Sequence, residues 1–252
     1  MNEDRFVISD ELWKKIAPLL PGKVGDPGAT GHDNRRFMEA ILWRVRTGAP
    51  WRDLPKEFGK WNTVFKRFRR WAEAGIFESL FNALNGEPDL EYVLIDGTIV
   101  QVHQKASGAK GGPQHQAIGR SRGGLTTKIV ALVDALGNML RFLLLPGQAH
   151  DMKGVTPLIH EVSFGALLAD KAFDADWLLH ELDARGATAV IPPKANRKVQ
   201  RDYDPHMYEW RHLIENYFAK IKEFRGIATR YDKTDTSYAA NWYLTATLIA
   251  IR

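Results

Sequence analysis

The chain has no cysteine, which excludes both a disulfide framework and a thiolate metal centre. No stretch approaches the roughly 18 uninterrupted apolar residues that a membrane-crossing helix needs. The opening "MNEDRFVISDELWKK" is charged and lacks the apolar core of a secretory signal. Internal repeats, heptads and low-complexity tracts are also missing, so solenoids, coiled coils and disordered tails are set aside. These absences leave a cytoplasmic globular protein as the expectation, with no membrane partner.

Negative charge is scarce in two places. "KWNTVFKRFRRW" (60–71) carries Lys60, Lys66, Arg67, Arg69 and Arg70 with no acid. Residues 101–128 carry Lys105, Lys110, Arg120, Arg122 and Lys128, again with no acid. The net charge of +5 is therefore unevenly spread. Such basic stretches favour a polyanionic partner, nucleic acid first among them. Read singly, each is equally a solvated face or a flexible loop.

At 252 residues, 44% of them hydrophobic, the chain is long enough for one large domain or two ordinary ones. Residues 1–85 read as helices. "SDELWKKIAPLL" begins at a Ser9 cap and "NRRFMEAILWRVRTG" stops at Gly48. The basic aromatic "KWNTVFKRFRRWAEAG" follows, then "IFESLFNAL". Helix, turn and basic helix is the order of a helix-turn-helix module. "GKVGDPGATGHDN" is a Gly-rich loop without Walker spacing, so no nucleotide cofactor is expected. A polar linker spans 86–91, and the pattern then changes. "YVLIDGTIV" is a β-rich run interrupted at Asp96 and Gly97, and 101–124 is a basic Gly-rich loop. "LTTKIVALVDALGNMLRFLLLPG" is a hairpin. "GALLAD" and "ATAVIPP" are further strands, separated by helices. This order predicts a mixed sheet flanked by helices over 92–252, of the RNase H-like kind.

Two carboxylates end strands in this reading, Asp96 after "YVLI" and Asp170 after "GALLA". Strand ends project side chains into the crevice where ligands bind in such sheets. A carboxylate in apolar sequence needs solvent, a partner or a metal. Asp170 is equally readable as a cap or turn former. A third carboxylate, Glu215, stands in "WRHLIENYFAKIKEFR". Wound as one helix, Tyr208, Arg211, Glu215 and Lys222 fall within a wedge of roughly 60°. Oxygen ligands alone suit Mg²⁺ or Mn²⁺ rather than zinc, and a pair of such ions can serve phosphodiester chemistry. Asp174 reads as an N-terminal helix residue. Asp151 reads as a cap and a reserve candidate for the acidic cluster. His103, His115 and His150 read as loop residues.

In these segments the chain resembles bacterial insertion-sequence transposases of the DDE class, in the insertion sequence five family. "RTGAPWRDLPKEFGKWNTVFKRFRRW" resembles the DNA-binding region of that family, and "IDGTIVQVHQ" its first catalytic segment. "AIGRSRGGLTTKI" resembles its basic loop and "LLADKAFDAD" its second catalytic segment. Tyr208, Arg211, Glu215 and Lys222 match its signature of Tyr, two residues, Arg, three residues, Glu, six residues, Lys.

The resemblance implies an N-terminal all-helical DNA-binding domain and an RNase H-like catalytic core. In that core Asp96, Asp170 and Glu215 would hold Mg²⁺ or Mn²⁺, two ions being expected. It implies DNA contacts by Arg211, Lys222 and Tyr208. Lys66, Arg67, Arg69, Arg70, Arg120, Arg122 and Lys128 are the further contacts expected from the basic stretches. The implied activity is binding of terminal inverted repeats, metal-dependent hydrolysis at the element ends and joining of the 3′-hydroxyl to target DNA. A dimer or larger assembly on paired ends, associated with the nucleoid, goes with it. A non-catalytic repressor derived from a transposase, and a nuclease that cleaves without joining, remain open alternatives.

Overall fold

The computed structural model describes residues 7–23, 25, 26, 31, 33–109 and 111–251. The Gly-rich loop 22–34 lies partly outside the described residues. Helices run in the order α1 (Asp10–Ile16), α2 (Asn34–Thr47), α3 (Trp61–Glu73) and α4 (Ile76–Leu84). Strands β1 (Tyr92–Val102), β2 (Gly119–Ser121), β3 (Gly124–Val133) and β4 (Met139–Pro146) come next. Then follow α5 (Val155–Ile159), β5 (Ala166–Leu168), α6 (Asp176–Ala184) and β6 (Thr188–Val190). After these come α7 (Pro205–Glu209), α8 (His212–Lys222), α9 (Arg225–Ala228), β7 (Thr229–Arg230) and α10 (Asp235–Ala250). None of the described helices is long and apolar enough to cross a membrane.

The chain packs as two compact units. One comprises Met1–Gly86, Val102–Lys110 and Ile221–Arg252; the other comprises Glu87–Gln101 and Gly111–Lys220. In the first, Ser9 caps α1 by accepting from the Leu12 amide at 3.2 Å. Asp33 caps α2 by accepting from Arg36 N at 2.9 Å, and Gly48 ends that helix with φ of 70°. Residues 48–60, with two 3₁₀ turns, separate α2 from α3, and a tight turn at Ala74–Gly75 separates α3 from α4. The C-terminal α10 packs against α4, α3 and α2. It is buried on nearly every side, with Ser237, Asn241, Thr245 and Thr247 enclosed among its apolar residues. Arg44 of α2 pairs with Asp232 at 3.0 Å, and Asn241 Nδ2 donates to the other Asp232 oxygen at 2.9 Å. The division therefore differs from a boundary that follows chain order, because α10 joins the N-terminal helices.

The second unit is built on a sheet in which β4 and β1 flank β3, both antiparallel to it, while β5 and then β6 continue parallel beyond β1. An antiparallel meander extended by two parallel strands, with helices in the crossovers, is the RNase H-like order that the sequence predicts. β1 is continuous through the expected interruption, because β3 supplies a partner at each step: Asp96 opposite Ala131 and Gly97 opposite Val130. Part of the expected 101–124 loop is ordered as β2, which pairs with the start of β3. Buried Asp134 shapes the β3–β4 turn, accepting from the amides of Leu136 at 3.0 Å and Asn138 at 2.8 Å. Alternation sends Val93 and Ile95 to one face, where they pack with Val130, Leu132, Leu167, Ala169 and the apolar sides of α5 and α6. Leu94 and Asp96 point to the other face.

Candidate active site

Strand register brings the first two carboxylates together. The parallel β1–β5 pair is in register at Leu94 and Leu168. Asp96 and Asp170 each lie two residues further on, so they sit side by side on the same face. The Asp170 side chain also accepts from Ala172 N at 2.8 Å, capping the 3₁₀ turn Lys171–Phe173. The cap reading and the strand-end reading therefore hold for the same residue.

Arg211 links the third carboxylate to this pair. Its Nη1 donates to Asp96 Oδ2 at 2.9 Å, and its Nη2 donates to Glu215 Oε1. Glu215 is exposed, in the first turn of α8, where the positive end of the helix favours an anion. Asp96 is mostly buried. Its carboxyl is pushed above the ordinary range by burial first, against the opposing pull of the Gly97 amide and Arg211, and the like charges of Asp170 and Asp151 add to the rise. Arg211 is held more firmly protonated than usual. Burial works against the charge, but the hydrogen bond to Glu215 and the charges of Glu215 and Asp96 outweigh it.

The single helix expected to carry Tyr208, Arg211, Glu215 and Lys222 is two helices. Asp204 caps α7 by accepting from His206 and Met207, and Pro205 starts it. Trp210, Arg211 and Leu213 then bond three residues back rather than four, which tightens the chain between α7 and α8. The 100° winding is therefore broken before Arg211. Tyr208 stays on α7, edge-on to Tyr203 with centroids 5.6 Å apart, and 5.9 Å from the Arg211 guanidinium carbon. Arg211 and Glu215 remain neighbours. Lys222 is half-buried at the end of α8, and desolvation lowers its pKa. Among the described residues, no three carboxylate or imidazole groups are gathered to hold a metal ion. Asp96 and Glu215 instead share the Arg211 cation.

Two neighbours of Asp96 are not placed by the pattern of the sequence. Lys128, expected at DNA, donates to Ala149 O at 2.5 Å and to Asp151. Asp151 lies against Gly97: a Cβ there would come within 2.7 Å of Asp151 Oδ2. The signal available in the sequence is a glycine inside a strand, which marks a close approach. Asp174 is buried at the centre of a knot, accepting from Arg197 at 2.9 Å and Lys194 N at 2.8 Å. It anchors residues 194–201.

The basic stretch on α3 divides. Arg67 lies over Phe37 at 4.3 Å and Trp71 at 4.7 Å and donates to Asn34. Lys66, Arg69 and Arg70 are exposed, with Arg69 paired to Glu73 at 2.6 Å. Arg120 and Arg122 are exposed on the β2–β3 hairpin.

Residues 8–81 match the family model "Putative transposase of IS4/5 family", and residues 87–250 match "Transposase DDE domain". A "Putative transposase for insertion sequence element IS6501" of Brucella ovis is 35% identical over 130 residues, 51% of this chain and 100% of the relative. An "Uncharacterized protein y4sN" of Sinorhizobium fredii is 39% identical over 103 residues, 41% of this chain and 82% of the relative. A pre-cleavage Mos1 transpososome structure aligns over 90% of this chain and 81% of its own at 12% identity. Its TM-score of 0.25 adds nothing to the sheet order described above. The DDE match spans the paired aspartates, Arg211 and Glu215, and with the N-terminal match it bears out the resemblance: the chain belongs to the DDE-domain transposases of insertion sequences.

Proposed function

We propose that this transposase binds the terminal inverted repeats of its element, hydrolyses DNA at the element ends and joins the freed 3′-hydroxyl to target DNA. The observation that carries this reading is the register that sets Asp96 beside Asp170, with Glu215 tethered to Asp96 through Arg211. The donor set is oxygen only, and its innermost member is a mostly buried carboxyl crowded by like charge, which a divalent cation would relieve. Asp96, Asp170 and Glu215 would hold Mg²⁺ or Mn²⁺, and two such ions would supply Lewis-acid stabilisation to the attacking and leaving oxygens.

The residues of the chain do the remaining work. Asp96 and Glu215, which share the Arg211 cation, would hold the metal ion with the same oxygens. Arg211 would bind a DNA phosphate, with Tyr208 beside it and Lys222 further along α8. Arg120 and Arg122 on the hairpin, and Lys66, Arg69 and Arg70 on α3, offer exposed charge to the DNA backbone. Arg67 and Lys128 would also contribute, although Arg67 packs on Phe37 and Trp71 and Lys128 pairs with Asp151. Assembly on paired ends as a dimer or larger complex belongs to the same proposal.

The test is cleavage of labelled duplexes carrying the flanking repeats, in Mg²⁺, Mn²⁺ or EDTA. Metal-dependent cuts at the repeat boundary are expected, and joined products should appear once target DNA is added. Asp96→Ala or Glu215→Gln should abolish both while leaving end binding within a few-fold of the parent. Nicking retained by either purified variant would sink the assignment.

A further inference from the structure

Asp151 and Lys128 lie behind the strand that carries Asp96. Alternation places Gly97 on the face of β1 opposite Asp96, the face shared by Val130 and α5. Asp151 begins the turn leading into α5, and its carboxylate rests on the bare backbone of Gly97, where no other residue would leave room. Lys128, on the neighbouring β3, holds that carboxylate with its ammonium and anchors the ammonium on Ala149 O at 2.5 Å. Both side chains are substantially withdrawn from solvent, at 13% exposure for Lys128 and 25% for Asp151. The turn 151–154 also packs against the turn 171–173 that follows Asp170. One charged pair therefore touches the supports of both Asp96 and Asp170 without sharing their face.

We infer that the Lys128–Asp151 pair, seated on Gly97, is a positioning element that sets the cation affinity of the Asp96–Asp170 site from behind the strand. Asp151 adds negative charge close to the site, and Lys128 cancels most of it while fixing where it stands. The two residues act on the cation by their charge and by fixing the strand beside Asp96, without touching it. The inference deepens the functional reading above and rests on it.

Opposite signs for the two single variants separate this role from simple damage. The measurement is Tb³⁺ luminescence titration, with Mn²⁺ competition, on the intact chain without DNA. Asp151→Asn keeps the shape and removes the charge, so it should weaken binding by roughly three- to tenfold. Lys128→Met leaves Asp151 uncompensated and should tighten binding by a similar factor, and the double variant should return close to the parent. Circular dichroism and melting curves establish that each variant is folded. Lys128→Met weakening binding alongside Asp151→Asn, or two folded variants that both bind as the parent does, would overturn the inference. Asp96→Asn is the arm that isolates the underlying reading. If it leaves Tb³⁺ binding intact, the carboxylate site itself is wrong; if it abolishes binding while the pair has no effect, only the positioning role fails.

Discussion

Asp96 carries its charge at a cost. Its carboxyl holds its proton more tightly in the folded chain than an unfolded aspartate does, because burial outweighs the Gly97 amide and Arg211. Stability from such a group is fully present below the ordinary value of 3.8 and is lost as pH rises through the higher folded value. Asp96→Asn should therefore melt at a higher temperature than the parent at neutral pH in EDTA, and the gap should close as the pH falls below the carboxylate range. Equal melting temperatures at neutral pH would contradict this account. Arg211 carries a second prediction at this scale. Arg211→Ala and Lys222→Ala should each weaken DNA binding and make the salt slope shallower by about 0.9 for each phosphate left without its cation. An unchanged slope in filter binding from low to moderate salt would mean that the residue does not neutralise a phosphate.

At the scale of elements, legibility follows the range of the signal. β1, the β3–β4 hairpin, β5 and β6 are apolar runs bounded by turn residues, and local pattern is enough to find them. Asp96 and Asp170 are readable because each ends such a run, although their adjacency depends on strand pairing that no single segment encodes. The Asp204–Pro205 cap marks where α7 starts, but the break before α8 lies at Trp210–Arg211, where no proline or glycine announces it and the winding of one long helix passes over it. Gly97 inside a strand signals that something approaches closely, but that Asp151 is what sits there is not readable, because the two are far apart in sequence. Asp174 shows the same limit, reading locally as a helix-start acid while acting as the anchor of a distant loop. Burial pushes its carboxyl up, but the Arg197 hydrogen bond and the Lys194 amide more than offset this, leaving it below the ordinary range. Its contribution is present above the ordinary carboxylate value and is lost as pH falls. Asp174→Ala should cost about 2–4 kcal/mol in urea unfolding and expose 194–201 to early proteolysis. A loss within error would mean that the knot is incidental.

At the scale of the molecule, the helical unit draws on both ends of the chain. Its core combines Met38, Ile41, Phe68, Phe77 and Phe81 with Trp242, Leu244 and Leu248, all almost wholly buried. The match of residues 8–81 to one family model delimits a relationship in sequence, and packing does not follow that limit. A fragment ending at Gly86 lacks α10 and the Asp232 partner of the buried Arg44. It should bind the dye ANS and unfold without a cooperative transition, whereas adding the 221–252 segment through a flexible linker should restore one. A sharp, dye-free melt of the short fragment would show that α10 is dispensable.

The same arrangement sets an order of events during synthesis. Ribosomes add about 5–20 residues per second, and α10 is made long after α4. The N-terminal helices must therefore wait roughly 10–30 s for their last packing partner, while the sheet unit, complete by Lys220, is free to form first. A chain interrupted before α10 would carry the paired aspartates, Arg211 and Glu215 but an unfinished helical unit. Premature termination should therefore leave the paired aspartates on a chain whose helical unit lacks its last packing partner.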